Sequence, residues 1–139
     1  MKKRLINLVL VVAAVLVGGC ATTATQEPWT TKVVTARSVV SSDEVHGISD
    51  TFTREGRIYV HAAFTGSAVG TDEPHSVQIK WFNGNTLVFE RAGEYVFKRS
   101  PYYVYASTSG TALGLGNCRV ELYVDGRLRG TKTFAVTEK

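Results

Sequence analysis

From Thr30 onward, apolar and polar positions alternate with a period of two, and no window of about 12 residues carries the i, i+3, i+4, i+7 stripe of an amphipathic helix. Thr30 to Val40 is rich in β-branched residues and predicts a first strand. Ser41 to Glu55 is polar and broken by Gly47, so it reads as a long connection holding a short paired piece around Ile48 to Phe52. In Arg57 to Thr65, Ile58, Val60, Ala62 and Phe64 fall on one face, with Tyr59 and His61 on the other. Gly66 to Pro74 is a loop, and His75 to Phe82 alternates again, with Val77, Ile79 and Trp81 against Gln78, Lys80 and Phe82.

Turn chemistry divides the second half. Asn83-Gly84 and Asp125-Gly126 are strong two-residue hairpin signals, because both central positions of such turns take positive φ. Thr86 to Arg91 returns from the first, Ala92-Gly93 predicts another turn into Glu94 to Arg99, and Pro101 opens an aromatic strand over Tyr102 to Ser107. Ser109 to Gly116 reads as a small-residue loop. Cys118, Val120, Leu122 and Val124 face inward on the next strand, and Phe134 and Val136 on the last, where Gly130 marks a bulge. About seven or eight short strands with turn signals between them imply an all-β antiparallel sandwich over residues 30–139.

The first twenty residues follow a different logic. Lys2, Lys3 and Arg4 precede a short apolar run from Leu8 to Val17, and Val17-Gly18-Gly19-Cys20 follows. A helical membrane span takes about 20 apolar residues. Here polar Thr22, Thr23 and Thr25 come soon after Cys20, as expected for a processed export signal. Val17 to Cys20 resembles the lipobox of bacterial lipoproteins. That resemblance implies removal of residues 1–19 and lipidation of Cys20 with palmitate-type acyl chains; two or three chains suffice for stable attachment. Ala21 stands where an aspartate would mark inner-membrane retention, so the resemblance implies the periplasmic face of the outer membrane, or the outer leaflet in a single-membrane host. Residues 20–29 form the lipidated end and a tether, reaching about 30 Å when extended.

Charge adds little beyond this. Loss of Lys2, Lys3 and Arg4 from the 16 basic residues leaves 13 against 12 acidic ones, which gives no case for a nucleic-acid partner. Gly114-Leu115-Gly116 lacks the third glycine of a phosphate cradle, because Arg119 stands in its place. With Cys20 acylated, Cys118 is the one remaining thiol, so the domain folds without an internal disulfide.

Trp81 on the third strand resembles the buried strand-C tryptophan of immunoglobulin-like domains. The closing segment, Cys118-Arg-Val-Glu-Leu-Tyr-Val-Asp-Gly-Arg-Leu through Phe134-Ala-Val136, resembles the final hairpin of small bacterial Ig-like domains of unknown function. The likeness runs from Val77 to Val136 and bears on architecture.

Three histidines and one thiol are the candidates for chemistry. His46 near Asp43, Glu44 and Asp50, and His75 beside Asp72 and Glu73, lack the converging ligands of a metal site. His61 is expected on the outer surface of its strand. Cys118 alternates with core positions and is expected to be buried and inert. No G-x-S-x-G elbow appears. The expectation is therefore a protein with no catalytic residues, metal or cofactor.

Tyr102-Tyr103-Val104-Tyr105 puts apolar bulk on both sides of one strand, which leaves aromatics outside the core. A binding face of Phe82, Tyr102 and Tyr123, framed by Lys98, Arg99, Arg119 and Arg127, follows from this. The expected role is a non-enzymatic, lipid-anchored envelope lipoprotein that binds another envelope protein or the cell wall. Two alternatives stand beside it: an inhibitor or sensor of a cell-wall hydrolase acting through residues 66–74 or 109–116, and a hydrolase of wall glycan or peptide.

Overall fold

Among the described residues, 29–67 and 69–139 of a computed structural model, nine strands and one helical turn are present. Residues 1–28, which include the expected export signal and Cys20, lie outside the described residues. The first four strands are β1 (Thr30–Ser41), β2 (Glu44–Ile48), β3 (Thr51–Thr53) and β4 (Arg57–Thr65). Then come β5 (Pro74–Asn83), β6 (Thr86–Val96) and β7 (Tyr102–Ser109). The turn α1 (Gly110–Leu113), β8 (Gly116–Val124) and β9 (Arg127–Thr137) complete the chain. They form two sheets, of order β2-β1-β4-β7 and β3-β9-β8-β5-β6.

The alternation read from the sequence decides which sides of these sheets meet. Ile58, Val60, Ala62 and Phe64 face Val77, Ile79 and Trp81 together with Cys118, Val120, Leu122 and Val124, and all are buried. Phe134 and Val136, from the strand between β8 and the edge strand β3, and Leu113 of α1 join the same core. Trp29, Phe64, Phe97 and His75 form an aromatic plug at the end where β1 begins, with Phe64 and Phe97 stacked at 4.7 Å.

The strand neighbours define the fold. In β9-β8-β5-β6 the last two strands of the chain sit beside the third and fourth long strands, the G-F-C-C′ order of immunoglobulin sandwiches. β1-β4-β7 supplies the A-B-E side. The chain is an Ig-like β-sandwich.

Four local expectations change. The connection from Ser41 to Glu55 contains two strands: β2 folds back on β1 as a hairpin, and β3 runs parallel to β9, with Phe52 opposite Val136. Two short strands thus raise the count to nine, and the sandwich has one parallel pair in an otherwise antiparallel structure. Polar composition hides these strands because only Phe52 among their residues is buried. Ala92-Gly93 is not a turn. β6 continues through it, with Gly93 opposite Val77, and the Tyr95 ring fills the space a side chain at 93 would take.

The bulge expected at Gly130 falls one residue earlier, at Arg129: Leu122 faces Gly130 and Tyr123 faces Leu128. The loop after β7 holds α1, capped by Ser109, whose hydroxyl accepts from the Ala112 amide at 3.1 Å.

Candidate binding surface

Phe82 and Tyr123 lie on the outer face of the five-stranded sheet, on the adjacent strands β5 and β8. Register places Phe82 opposite Arg119 and Lys80 opposite Glu121. The Arg119 guanidinium sits 4.3 Å from the Phe82 ring centre, and the Lys80 ammonium 4.7 Å from that of Tyr123. Arg119 also donates to Glu121 at 2.8 Å and to the Gly84 carbonyl at 3.3 Å. The Tyr123 hydroxyl donates to the other Glu121 oxygen at 2.7 Å. Each aromatic ring on this face is thus already occupied by a cation.

The network has a pH signature. The Tyr123 hydroxyl, with help from Arg119 and Lys80 against the cost of burial, holds the Glu121 carboxyl below its ordinary range. The same hydrogen bond raises the Tyr123 phenol above its own. Glu121, depressed in the folded state, stabilises above its unfolded value and loses that contribution as pH falls through the folded one. Tyr123, raised, stabilises below its unfolded value and loses the contribution as pH rises through the folded one. The contribution is therefore greatest at neutral pH. Glu121→Gln should cost about 1–3 kcal/mol at pH 7, measured as a urea midpoint shift. That difference should shrink on acidification; a gap unchanged down to pH ~2 would refute the coupling.

Tyr102 does not join Phe82 and Tyr123. It pairs with inward-facing Phe64 across β4 and β7, so it points inward and stacks on Phe97 at 4.8 Å. Tyr103 and Tyr105 point outward instead. Val104 and Ala106, the small apolar residues of β7, set this parity, a signal present in the sequence.

The outward tyrosines make a second aromatic surface, on the four-stranded sheet, with Tyr59 from β4. Register sets His61 opposite Tyr105 and Ala63 opposite Tyr103. Tyr105 is 49% exposed and Ile48 62%. Between β2 and Tyr103 lies a trough of about 300 Å³, lined by Val34, Val45, Ile48, Ala63 and Pro101, with Lys32 and Asp43 also bordering it. His61 also lines it, and its Nε2 donates to the Ser42 carbonyl at 2.7 Å. His61 points outward as its alternation requires, but it is buried, not surface. The β1–β2 connection and the Tyr103 ring, 5.3 Å away, cover it.

The remaining candidates are structural in their contacts. His46 contacts only neighbouring Glu44, at 2.7 Å in exposed positions. No group of three or more potential metal ligands occurs among the described residues. His75, expected with Asp72 and Glu73, is instead buried between Trp29 and Phe97, and its Nδ1 donates to Asp125 at 2.8 Å. Burial pushes the Asp125 carboxyl up, but hydrogen bonds from His75 and the Ser76 amide outweigh it and leave the group below its ordinary range.

Cys118 is buried, which raises its thiol pKa. Lys98 and Arg99 lie in the β6–β7 connection. Arg99, after the Ser41 hydroxyl and a backbone hydrogen bond, contributes to lowering Asp43, which places Arg99 towards the tyrosine side and not with Phe82. A groove of about 560 Å³ with mixed lining at the Gly84 end, bordered by Asp50, Asn85, Asn117 and Arg119 together with Phe134 and Ala135, adjoins the occupied face. No helix among the described residues is long and apolar enough to cross a membrane.

No protein-family model matches this chain, and no curated protein matches its sequence. Its structure is similar to that of an immunoglobulin-like protein from Pseudomonas aeruginosa, 12% identical, with a TM-score of 0.46 over 81% of this chain and 94% of that one.

Proposed function

We propose that this protein is a lipid-anchored, non-enzymatic binding module of the bacterial cell envelope, held at the outer membrane through Cys20 and presenting the tyrosine face of its four-stranded sheet to another envelope protein. The observation that carries the binding role is the contrast between the two faces. Phe82 and Tyr123 are covered by Arg119 and Lys80, whereas Tyr105 is exposed without such a cover and Ile48 stands open at a trough of mixed apolar and polar lining on the same sheet. Tyrosines that keep a polar tip in water while offering an apolar ring suit such contacts.

The anchor reading rests on the sequence from Lys2 to Cys20. Trp29 packs in the aromatic plug, which supports a short tether in this reading: the eight residues 21–28, under about 30 Å when extended, would separate the sandwich from the lipid.

One experiment tests both halves. A benzophenone amino acid is placed at position 105 of the full chain in cells, with and without Cys20→Ser. The expected result is a discrete envelope-protein adduct that depends on Cys20, and fatty-acid labelling that Cys20→Ser abolishes. Labelling that persists in Cys20→Ser would sink the anchor; failure of position 105 to crosslink while position 82 does would sink the choice of face.

A further inference from the structure

A sandwich of two open sheets has four edge strands, here β2, β7, β3 and β6. Natural sheets blunt such edges, because unpaired backbone groups are a template for another strand. Three of the four are blunted. β2 carries Gly47 at φ 66° and pairs irregularly with β1; β3 is three residues long. β6 carries Glu90, Arg91 and Glu94 and is bulged where Trp81 and Phe82 meet it.

β7 has none of these devices. Its eight residues, Tyr102–Ser109, include no charge, glycine or proline, and its pairing with β4 runs without a bulge. A groove of about 300 Å³ follows it, lined by residues 103–107 with Tyr59 on one side and Arg91 and Tyr95 on the other. Both inward-facing Val104 and Ala106 and outward-facing Tyr103 and Tyr105 border this groove, as expected of space beside the strand's edge. Arg91 is its one charged lining residue and makes no ion pair with the described residues.

We infer that β7 accepts an extended peptide segment of a partner as a fifth strand of the four-stranded sheet, with a carboxylate side chain of that segment paired to Arg91. Backbone hydrogen bonds along the edge would supply affinity, and alternate side chains lodged against Tyr95 and Tyr105 would supply selectivity. The charge of the groove decides the partner's chemistry: a lone cation among tyrosines favours an acidic segment over a basic one. This inference rests on the binding role proposed above and specifies its mode.

The test uses the full chain in detergent and three synthetic heptapeptides of alternating valine and threonine. One has a central glutamate, one a central lysine and one a central proline. The expected result is saturable binding of the glutamate peptide, with slowed amide exchange and shifted backbone resonances confined to β7 and the adjoining part of β6. The proline peptide should bind at least about tenfold more weakly, having lost a backbone donor and the extended pairing. Arg91→Glu, an exposed change that leaves the core intact, should weaken the glutamate peptide about five- to tenfold and reverse the preference towards lysine.

Equal binding of the proline peptide, or shifts centred on Val34 and Ile48, would overturn strand addition while leaving a binding role for the tyrosine face. Concentration-dependent dimerisation with protected β7 amides and no peptide would assign the edge to a second copy. Protection at every dilution would assign it to the chain's own residues before Trp29. Either result overturns the inference, as does the absence of binding by all three peptides. The crosslink at position 105 then decides separately whether the binding role survives.

Discussion

Trp81→Ala should destabilise the sandwich by about 3–5 kcal/mol, read from urea unfolding at pH 7. The indole is fully buried, stacked on Phe89 at 5.8 Å and met edge-on by Phe134 at 6.2 Å. Its neighbours on β5 and β8 are held in a regular ladder, so the void left by the ring cannot easily collapse. A domain of this size is stable by about 5–15 kcal/mol, so the variant keeps little margin. The indole N–H is buried without a hydrogen-bond partner, so removing it forfeits packing and no polar contact. Trp81→Phe should therefore recover much of the loss. A cost below about 1 kcal/mol for the alanine variant would show that this position is not the centre of the core.

Gly110→Ala is the second large effect, and its sign separates two arguments. Helix propensity alone favours alanine by about 1 kcal/mol. Position 110 opposes this, because an added Cβ would meet the Thr53 carbonyl oxygen at 2.5 Å, the Arg54 carbonyl oxygen at 2.7 Å and the Arg54 Cα at 2.8 Å. All three are backbone atoms and cannot rotate away. The contact is pinned further by Gly110 donating to the Gly56 carbonyl at 2.9 Å and Thr111 to the Arg54 carbonyl at 3.0 Å. Overpacking of this kind costs about 3 kcal/mol at its upper end. Unfolding at a lower urea concentration is the expected measurement; an unchanged or raised midpoint would mean that α1 does not seat against the β3–β4 turn.

The core was legible in the sequence because alternation is a local property. On β4 and β8 the period-two pattern alone assigns every inward residue correctly. What escaped depends on contacts between distant segments. His75 finds its carboxylate in Asp125, fifty residues away, not in its neighbours Asp72 and Glu73. His61 is buried by the β1–β2 connection, which no pattern on its own strand records. The Phe82, Tyr102 and Tyr123 grouping failed for a related reason. Each residue's face can be read locally, but which sheet a strand joins cannot, and β7 belongs to the sheet opposite β5 and β8. The missed tyrosines were within reach, since Val104 and Ala106 fix which side of β7 is outward.

The placement of the two ends of the sandwich has a mechanical consequence. Trp29 lies where β4 finishes, whereas Thr137 accepts a hydrogen bond from Arg54 beside the point where β4 begins. A force between the two ends therefore runs along the strand axes and across hydrogen bonds that lie perpendicular to it. The β1–β4 ladder, seven paired positions from Thr30 to Ala36, is loaded in shear, so its bonds share the strain instead of opening one after another. A module built this way resists being pulled apart lengthwise far better than one whose first strand could be peeled from its end.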